Sequence, residues 1–268
     1  MTTLKIGFVG TGQMATALAY GFCTSGLASA KTIVAHDIDP EAQARFSEKV
    51  GPCEFVESNS ELVARANLII LAVKPQIIPT IVDQLKPFDP STLFISVMGG
   101  ITLDWLKDNL GTQRVIRTMP NTPCLIGEGA TGIAVSEAVE PAEREQVKTL
   151  FESVGLAVEL PERLIDAVTG ISGSGPAFVF QFIEALSDGA VCSGIPRETA
   201  LQLAAQTVVG AGKMVHQTGE HPGVLRDRVA SPGGTTIAGL KALEEGGLRA
   251  AAMNAVVAAT QRSIELGQ

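Results

Sequence analysis

The sequence predicts an α/β domain with a doubly wound, mostly parallel sheet, followed by an all-helical domain. Short apolar runs alternate with helical stretches of about a dozen residues over the first part of the chain, which is typical of parallel β–α–β units. Beyond Pro161 no strand pattern is present, and the helical stretches are rich in Ala, Leu and Val. We therefore expect two domains, at residues 1–160 and 161–268.

The predicted strands are short apolar runs, several of which end at a glycine or a polar residue. They cover residues 4–10, 31–37, 54–57, 67–73, 93–97, 114–117, 130–135 and 156–160. The helices between them begin at positions suited to helix starts, such as Pro40 at a first turn and Asn59 or Ser60 as a cap. In the second domain we expect helices over 162–169, 176–193, 196–217 and 236–266.

Composition excludes several classes of function. The 268 residues carry a net charge of -8 and contain no run of Lys or Arg, which argues against nucleic acid or an anionic membrane as a partner. The four cysteines are far apart and the three histidines lack metal-ligand spacing, so we expect no metal site and a reduced compartment, the cytoplasm. The longest uncharged stretch, 167–183, is too short and too polar to span a membrane.

A glycine-rich turn follows the first predicted strand and opens the first helix. In such a turn the first glycine allows the tight bend, the second lets backbone approach a pyrophosphate, and the small third residue lets helix and strand pack closely. A glycine turn without a ligand is the alternative. The candidate cofactor-binding residues in this turn are Gly10, Thr11, Gly12, Gln13, Met14 and Ala15.

Asp37 ends the second predicted strand, 27 residues after Gly10. A carboxylate at this place accepts hydrogen bonds from the adenosine ribose of NAD, and it repels the additional phosphate of NADP. A solvated aspartate or a cap for the helix at Pro40 is the alternative. His36 could partly offset its charge.

Two further strand ends carry candidate ligand contacts, because ligands of open α/β sheets bind outside the carboxyl ends of the strands. Ala72, Val73, Lys74 and Pro75 end the fourth strand, and Lys74 could meet phosphate or ribose oxygens of a dinucleotide. Gly99, a candidate substrate-binding residue, follows the fifth strand, where bare backbone suits the close approach of a flat ring. A surface lysine is the alternative for Lys74.

The stretch Ser231-Pro232-Gly233-Gly234-Thr235-Thr236 precedes an apolar helical pattern near the C-terminal end. Glycines permit unusual backbone conformations, and Thr235 and Thr236 could cap a helix that begins near Ile237. A helix N-terminus with free amides and hydroxyls is suited to a small anion such as a carboxylate. The alternative is a helix-entry turn with nothing bound.

Strong nucleophilic or metal catalysis is disfavoured, because no histidine lies near a Gly-x-Ser-x-Gly serine and no paired carboxylates stand out. Hydride transfer suits a chain with few catalytic side chains, since the cofactor carries the chemistry and the protein aligns two rings.

Small residues in the helical domain, such as Gly210 and Ala211, allow close helix contact. That domain could therefore pack against a second copy, with an intramolecular bundle as the alternative.

These motifs together resemble the pyrroline-5-carboxylate reductase family over nearly the whole chain. The matching segments are GTGQMA at Gly10, AVKP at Ala72, RTMPNTP at Arg117, SGSGPAF at Ser172 and SPGGTT at Ser231. The resemblance implies a Rossmann-type domain and a helical domain that interlocks with its partner in a homodimer, with further assembly into a decamer. It also implies reduction of the C=N bond of 1-pyrroline-5-carboxylate by NAD(P)H, giving L-proline.

The resemblance implies residue roles as well. Asn59, Val73 and Lys74 match positions that contact the cofactor, NADP or NAD. Ser231, Gly233, Gly234, Thr235 and Thr236 match the loop that holds the substrate carboxylate, with Thr236 as the catalytic threonine that hydrogen-bonds the ring nitrogen. In the family this loop serves the cofactor of the other subunit. Asp37 departs from the family's commoner small or basic residue, which favours NADPH.

Two rival functions share this architecture. A β-hydroxyacid dehydrogenase would place a lysine on the helix after a similar Gly-Ser-Gly segment, but residues 177–181 contain no lysine. A dinucleotide-sensing regulatory protein would bind NAD(P)H without turning over any imine, and it would leave the Ser231–Thr236 loop unexplained.

Overall fold

The computed structural model describes residues 4–267, and its central feature is one eight-stranded sheet. The strand order is β3-β2-β1-β4-β5-β6-β7-β8. All neighbours are parallel except β6 and β7, which confirms the predicted mostly parallel sheet. The strands are β1 Ile6–Val9, β2 Ile33–His36, β3 Glu54–Phe55, β4 Leu68–Leu71, β5 Leu93–Ser96, β6 Val115–Met119, β7 Gly129–Val135 and β8 Gly155–Glu159.

Helices connect the strands and then continue alone after β8. The α-helices are α1 Gln13–Thr24, α2 Pro40–Val50, α3 Asn59–Arg65, α4 Ile78–Ile81, α5 Leu103–Leu110, α6 Pro141–Glu152, α7 Ile165–Val168, α8 Gly175–Cys192, α9 Arg197–Thr218, α10 Pro222–Val229, α11 Thr235–Glu245 and α12 Leu248–Leu266. A π-helical turn, Thr169–Gly173, joins α7 to α8. Such turns are rare and are frequently found at functional sites.

The central strands β1, β4 and β5 are buried on both faces, as continuous apolar strands require. Alternate residues of a strand point to opposite faces. Thus Phe8 belongs to the cluster that includes Phe22 of α1, whereas Val9 belongs to the cluster that includes Leu62 of α3. After β3 the chain returns to β4 on the other side of β1, so the strand order reverses there. That reversal is the place where doubly wound sheets bind ligands.

The structure corrects several predicted helix ends. Ser58, not Asn59 or Ser60, is the N-cap of α3 and accepts a hydrogen bond from the Glu61 amide. Gly234, not a threonine, is the N-cap of α11. The single helix predicted over 236–266 is two helices, because the chain turns at Gly246 and Gly247, where Gly247 has φ +73°.

Contacts divide the chain into two compact units. The first, called the sheet unit, contains residues 4–174 and 257–267, and the second, called the helical unit, contains Gly175–Val256. The boundary predicted at residue 160 lies at the end of β8. The contact division falls later because α7 lies against β6 and β7. No helix within residues 4–267 is long and apolar enough to cross a membrane, and the four cysteines are free thiols.

Candidate functional site

The glycine turn between β1 and α1 lies where the sheet order reverses. Gly10 has φ +91°, a left-handed conformation that favours glycine. A Cβ at this position would lie 2.9 Å from the carbonyl oxygen of Ala72, so the β1 and β4 ends approach closely only without a side chain. The Gly10 amide donates to the His36 carbonyl at 2.9 Å, which fixes the turn to β2 as well.

The first turn of α1 presents backbone donors to solvent. Its N-cap is Gly12, which has no side chain to satisfy the free amides, and a Cβ there would meet no atom within 4 Å. Gly12 and Gln13 are exposed, whereas Ala15 is fully buried against the sheet. Met14 packs partly on the same core. Free amides beside open space suit a pyrophosphate, so the residues present fit a dinucleotide.

Asp37 lies beside this turn. Its Oδ2 accepts from the Thr11 amide at 2.7 Å and from the Thr11 hydroxyl at 3.1 Å, while Oδ1 accepts from the Asp39 amide at 3.0 Å. The predicted cap for the helix at Pro40 is instead Asp39, whose Oδ1 accepts from the Glu41 amide. The Nδ1 of His36 donates to the Val56 carbonyl at 2.9 Å rather than to Asp37.

The segment after β4 also lies at the carboxyl edge. The Ala72 amide donates to the Val9 carbonyl at 2.9 Å, which continues the β1–β4 pairing. Val73 is half-buried and would touch a Cβ at Gly10 at 3.0 Å. Lys74 is exposed and has no ion pair within residues 4–267. Pro75 begins the turn that leads to α4.

Asn59 is the first residue of α3 and is only 4% exposed. Its Nδ2 donates to Gln84 Oε1 at 2.9 Å. Its Oδ1 is buried and has no partner among the residues that the structure describes. A buried oxygen without a partner is costly, so a donor from a ligand or from water would stabilise this side chain.

Gly99 lies in the turn after β5, at the same edge of the sheet. A Cβ there would meet no atom within 4 Å, so the backbone faces open space. The next residue, Gly100, has φ +79°, and a Cβ on it would lie 3.3 Å from the carbonyl oxygen of Leu266. The end of α12 therefore covers one side of this turn and leaves Gly99 free.

The Ser231–Thr236 loop belongs to the helical unit. Gly233 has φ +68°, and the Gly234 amide donates to the Ser231 carbonyl at 3.1 Å, which closes a tight turn before α11. No side chain caps α11, so its first amides are unsatisfied by the helix. A cavity of about 610 Å³ borders Gly233 and Gly234. This arrangement offers backbone donors and nearby hydroxyls to a small anion.

The two arginines of α10, the helix just before this loop, are already paired. Arg228 lies 2.7 Å from Glu220, and Arg226 lies 2.8 Å from Asp227. Neither guanidinium is therefore a free partner for an anion within the described chain. Residues 4–267 contain no group of three or more His, Cys, Asp or Glu side chains that could hold a metal ion.

The structure thus assembles the predicted residues in two sets. Those at Gly10–Ala15, Asp37, Asn59, Ala72–Pro75 and Gly99 lie at or beside the carboxyl ends of strands in the sheet unit. The Ser231–Thr236 loop lies at a helix N-terminus in the helical unit.

Sequence reasoning missed the role of Arg117 and Asn121. Arg117 is not at the end of a strand but inside β6, where it is 2% exposed and pairs with two carboxylates. Asn121 donates to the Ser172 carbonyl at 3.0 Å and accepts from the Ala130 amide at 2.9 Å. The RTMPNTP motif therefore holds the π turn that begins the SGSGPAF motif. The sequence did contain one signal of this role, because Arg117 is a charged residue inside an apolar strand.

Two family models match this chain. One is described as pyrroline-5-carboxylate reductase dimerisation and matches residues 162–266. The other is described as NADP oxidoreductase, coenzyme F420-dependent, and matches residues 5–100. A pyrroline-5-carboxylate reductase from Methanosarcina acetivorans is 45% identical to this chain, and the alignment covers 100% of both chains.

Solved structures agree with these matches. A Plasmodium falciparum pyrroline carboxylate reductase with NADP bound has a TM-score of 0.89 and 34% identity, with 100% of both chains covered. A pyrroline-5-carboxylate reductase from Coxiella burnetii has a TM-score of 0.90 and 34% identity, again over 100% of both chains.

Proposed function

The chain belongs to the pyrroline-5-carboxylate reductase family, and from this premise we propose which of its residues carry the reaction. The protein is an NAD(P)H-dependent oxidoreductase that reduces the C=N bond of 1-pyrroline-5-carboxylate to give L-proline. The observation that carries the residue assignment is the Ser231–Thr236 loop. It combines a left-handed glycine, an uncapped helix N-terminus and hydroxyl side chains in one short stretch.

The sheet unit binds the dinucleotide in this proposal. The amides of Gly12 and Gln13 hold the pyrophosphate, Thr11 fixes Asp37 beside them through its own amide, and Met14 and Ala15 support the helix behind them. Asp37 accepts hydrogen bonds from the adenosine ribose with the lone pairs that Thr11 and Asp39 leave free. The cofactor, when bound, supplies the hydride.

The strand ends position the reacting ring. Lys74 is charged, exposed and without an ion pair in the described chain, so it is free to meet phosphate or ribose oxygens. The unpartnered Oδ1 of Asn59 can accept a hydrogen bond there. Ala72, Val73, Pro75 and Gly99 contribute backbone and apolar surface. Such positioning lowers the barrier because the reacting atoms are held at close distance.

The Ser231–Thr236 loop holds the substrate by its carboxylate. The amides at the start of α11 and the hydroxyls of Ser231 and Thr235 donate to the carboxylate oxygens. Thr236 donates or accepts at the ring nitrogen and thereby orients the C=N carbon. The cyclic imine can enter already protonated, so hydride addition to the carbon gives the secondary amine without a strong general acid. This suits a loop that contains no titratable side chain.

The helical part of the chain is the dimerisation domain of this family. We extend this to a homodimer with interlocked helical domains, in which each loop serves the cofactor of the other subunit, and to further assembly into a decamer. Exposed apolar side chains of the helical unit support this proposal, because they would be covered by a partner subunit. Among them are Phe180, Leu203 and Met253, at 63%, 54% and 66% exposure.

A cytoplasmic location is proposed from the four free cysteines.

One assay tests the proposal directly. Oxidation of NADH and of NADPH is followed with the five-membered imine carboxylate, with its six-membered homologue and with a five-membered imine that lacks the carboxylate. We expect turnover with the five-membered acid and a large loss of kcat/KM without the carboxylate. Equal kcat/KM with and without the carboxylate would contradict a loop that holds the substrate by its anion.

A further inference from the structure

Arg117 is a buried arginine in the middle of β6, and it bridges two carboxylates. Its Nη1 lies 3.3 Å from Glu162 Oε1 and its Nη2 lies 3.2 Å from Asp166 Oδ1. Its Nε is buried without a partner in the described residues. Burial of an arginine carries a large desolvation cost, so this arrangement is weak evidence for stability alone.

Asp166 is shared with the C-terminal helix. The same Oδ1 that meets Arg117 accepts from the Ser263 hydroxyl of α12 at 2.8 Å, and Ser263 is 6% exposed. Asp166 lies in α7, which runs directly into the π turn before α8. Arg117, Glu162, Asp166 and Ser263, together called the anchor cluster, all belong to the sheet unit.

The anchor cluster lies close in sequence to both chain crossings between the units. The chain leaves the sheet unit after Ser174 and returns to it at Val257. Asp166 precedes the first crossing by about two helical turns, and Ser263 follows the second by a similar length. One carboxylate, held by one buried guanidinium, therefore ties the two segments together.

The anchor cluster also reaches the turns beside the proposed nicotinamide position. Glu162 Oε1 accepts from the Leu103 amide at 2.6 Å, at the start of the helix that follows Gly99 and Gly100. The last residues of α12 lie against Gly100. The segments that lead to and from the helical unit are thus fastened to the strand end where the reacting ring is expected.

We infer that Arg117 and Asp166 are positioning residues of the reductase: they fix, within the sheet unit, the two points where the chain departs for the Ser231–Thr236 loop and returns from it. The inference rests on the proposed function, because it assumes that this loop presents the substrate. Substrate and cofactor react only when the reacting atoms are held at close distance, and a displacement of about 1 Å can cost on the order of a hundredfold in rate.

The test uses the full-length enzyme and three variants. Ser263→Ala removes one tie to α12, and Asp166→Asn removes the charge but keeps an acceptor oxygen. Arg114→Gln is the matched control, because Arg114 precedes the same strand at its other end and pairs with Glu143 of α6. Melting temperature, oligomer mass, the Kd for NADPH, kcat, and the isotope effect on kcat with 4-deuterated NADPH are measured for each.

For Ser263→Ala and Asp166→Asn we expect kcat to fall on the order of tenfold, with the NADPH Kd within about twofold of the parent. The isotope effect should rise, because hydride transfer becomes more rate-limiting. Arg114→Gln should lose melting temperature but retain kcat and the isotope effect. A kcat unchanged in both anchor variants, or a fall of kcat equal to that of Arg114→Gln at equal loss of melting temperature, would overturn the inference.

Thr236→Ala is measured alongside, so that a failure of the proposed substrate loop can be distinguished from a failure of the positioning role. Full turnover in Thr236→Ala would refute the role of the loop in the proposed function. A normal isotope effect in Ser263→Ala and Asp166→Asn, with Thr236→Ala impaired, would refute the positioning role alone.

Discussion

Thr11 donates two hydrogen bonds to one oxygen of Asp37, from its amide at 2.7 Å and from its hydroxyl at 3.1 Å. The glycine turn and the end of β2 are thereby joined through a carboxylate. Arg45, on the following helix, lies 3.6 Å from Asp39 and 3.4 Å from Glu41, so its charge is already balanced. A fixed negative charge beside the proposed ribose position should discriminate against the additional phosphate of NADPH.

Replacement of Asp37 by Ser should therefore shift the cofactor preference toward NADPH. We expect the ratio of kcat/KM for NADPH to that for NADH to rise by at least about tenfold, because a like charge is removed. Asp39→Ser is the control, since it removes a charge two residues away and retains an N-cap for α2. An unchanged ratio in Asp37→Ser would show that this carboxylate does not face the ribose.

Thr236→Ala should lower turnover far more than cofactor affinity. The hydroxyl is proposed to orient the ring nitrogen, and loss of one such aligned group costs on the order of a hundredfold in kcat. Thr236→Ser keeps the hydroxyl and should retain most of the activity. Steady-state kinetics at saturating substrate, with the Kd for NADPH measured by fluorescence, distinguish the two effects. Unchanged kcat in Thr236→Ala would remove this residue from the mechanism.

Gly234→Ala should weaken substrate binding with little effect on folding. A Cβ there would lie 2.2 Å from Ser231 Oγ, so the serine side chain must turn away, while its backbone carbonyl stays at 3.3 Å. The φ of Gly234 is -81°, which alanine adopts without strain. We expect the substrate KM to rise by about tenfold and the melting temperature to change by less than about 2 °C. An unaltered KM would mean that the Ser231 hydroxyl makes no contact with the substrate.

The cysteines of the sheet unit should react slowly with thiol reagents. Desolvation by burial raises the pKa of the Cys53 thiol to about 11, with a smaller contribution from Cys23, and burial raises the pKa of Cys23 and Cys124 as well. Because only the thiolate reacts, alkylation of Cys53 at pH 8 should be at least about a hundredfold slower than in the unfolded chain, and should accelerate as the pH rises toward 11. Peptide mapping after timed alkylation measures each site, and rapid labelling of native Cys53 at pH 8 would be inconsistent with a raised thiol pKa.

The fold could be predicted because its signals are local. A buried strand followed by a glycine turn and a helix is written in consecutive residues, as at Gly10 and Gly12, and the same period repeats until β8. Cap positions were less certain, since Ser58, Asn59 and Ser60 are all suitable cap residues and only the folded backbone selects Ser58. The break at Gly246 and Gly247 was missed because helical patterns continue on both sides of it.

The candidate site could be predicted only in its separate parts. The turn at Gly10 and the loop at Gly233 are each recognisable from short motifs. Their supports are not, because Arg117 and Ser263 both meet Asp166 from distant parts of the chain. Likewise, the contact of Asp37 with Thr11 depends on how β1 and β2 align. Long-range hydrogen bonds of this kind leave no periodic pattern in the sequence.

The most direct test of the account is a crystal structure of the enzyme with L-proline and oxidised cofactor bound. We expect the proline carboxylate to accept hydrogen bonds from the amides at Gly233–Thr236. We expect its nitrogen to lie within hydrogen-bonding distance of the Thr236 hydroxyl and its ring to face the nicotinamide. Proline bound elsewhere, with the Ser231–Thr236 loop facing solvent in every subunit, would contradict it.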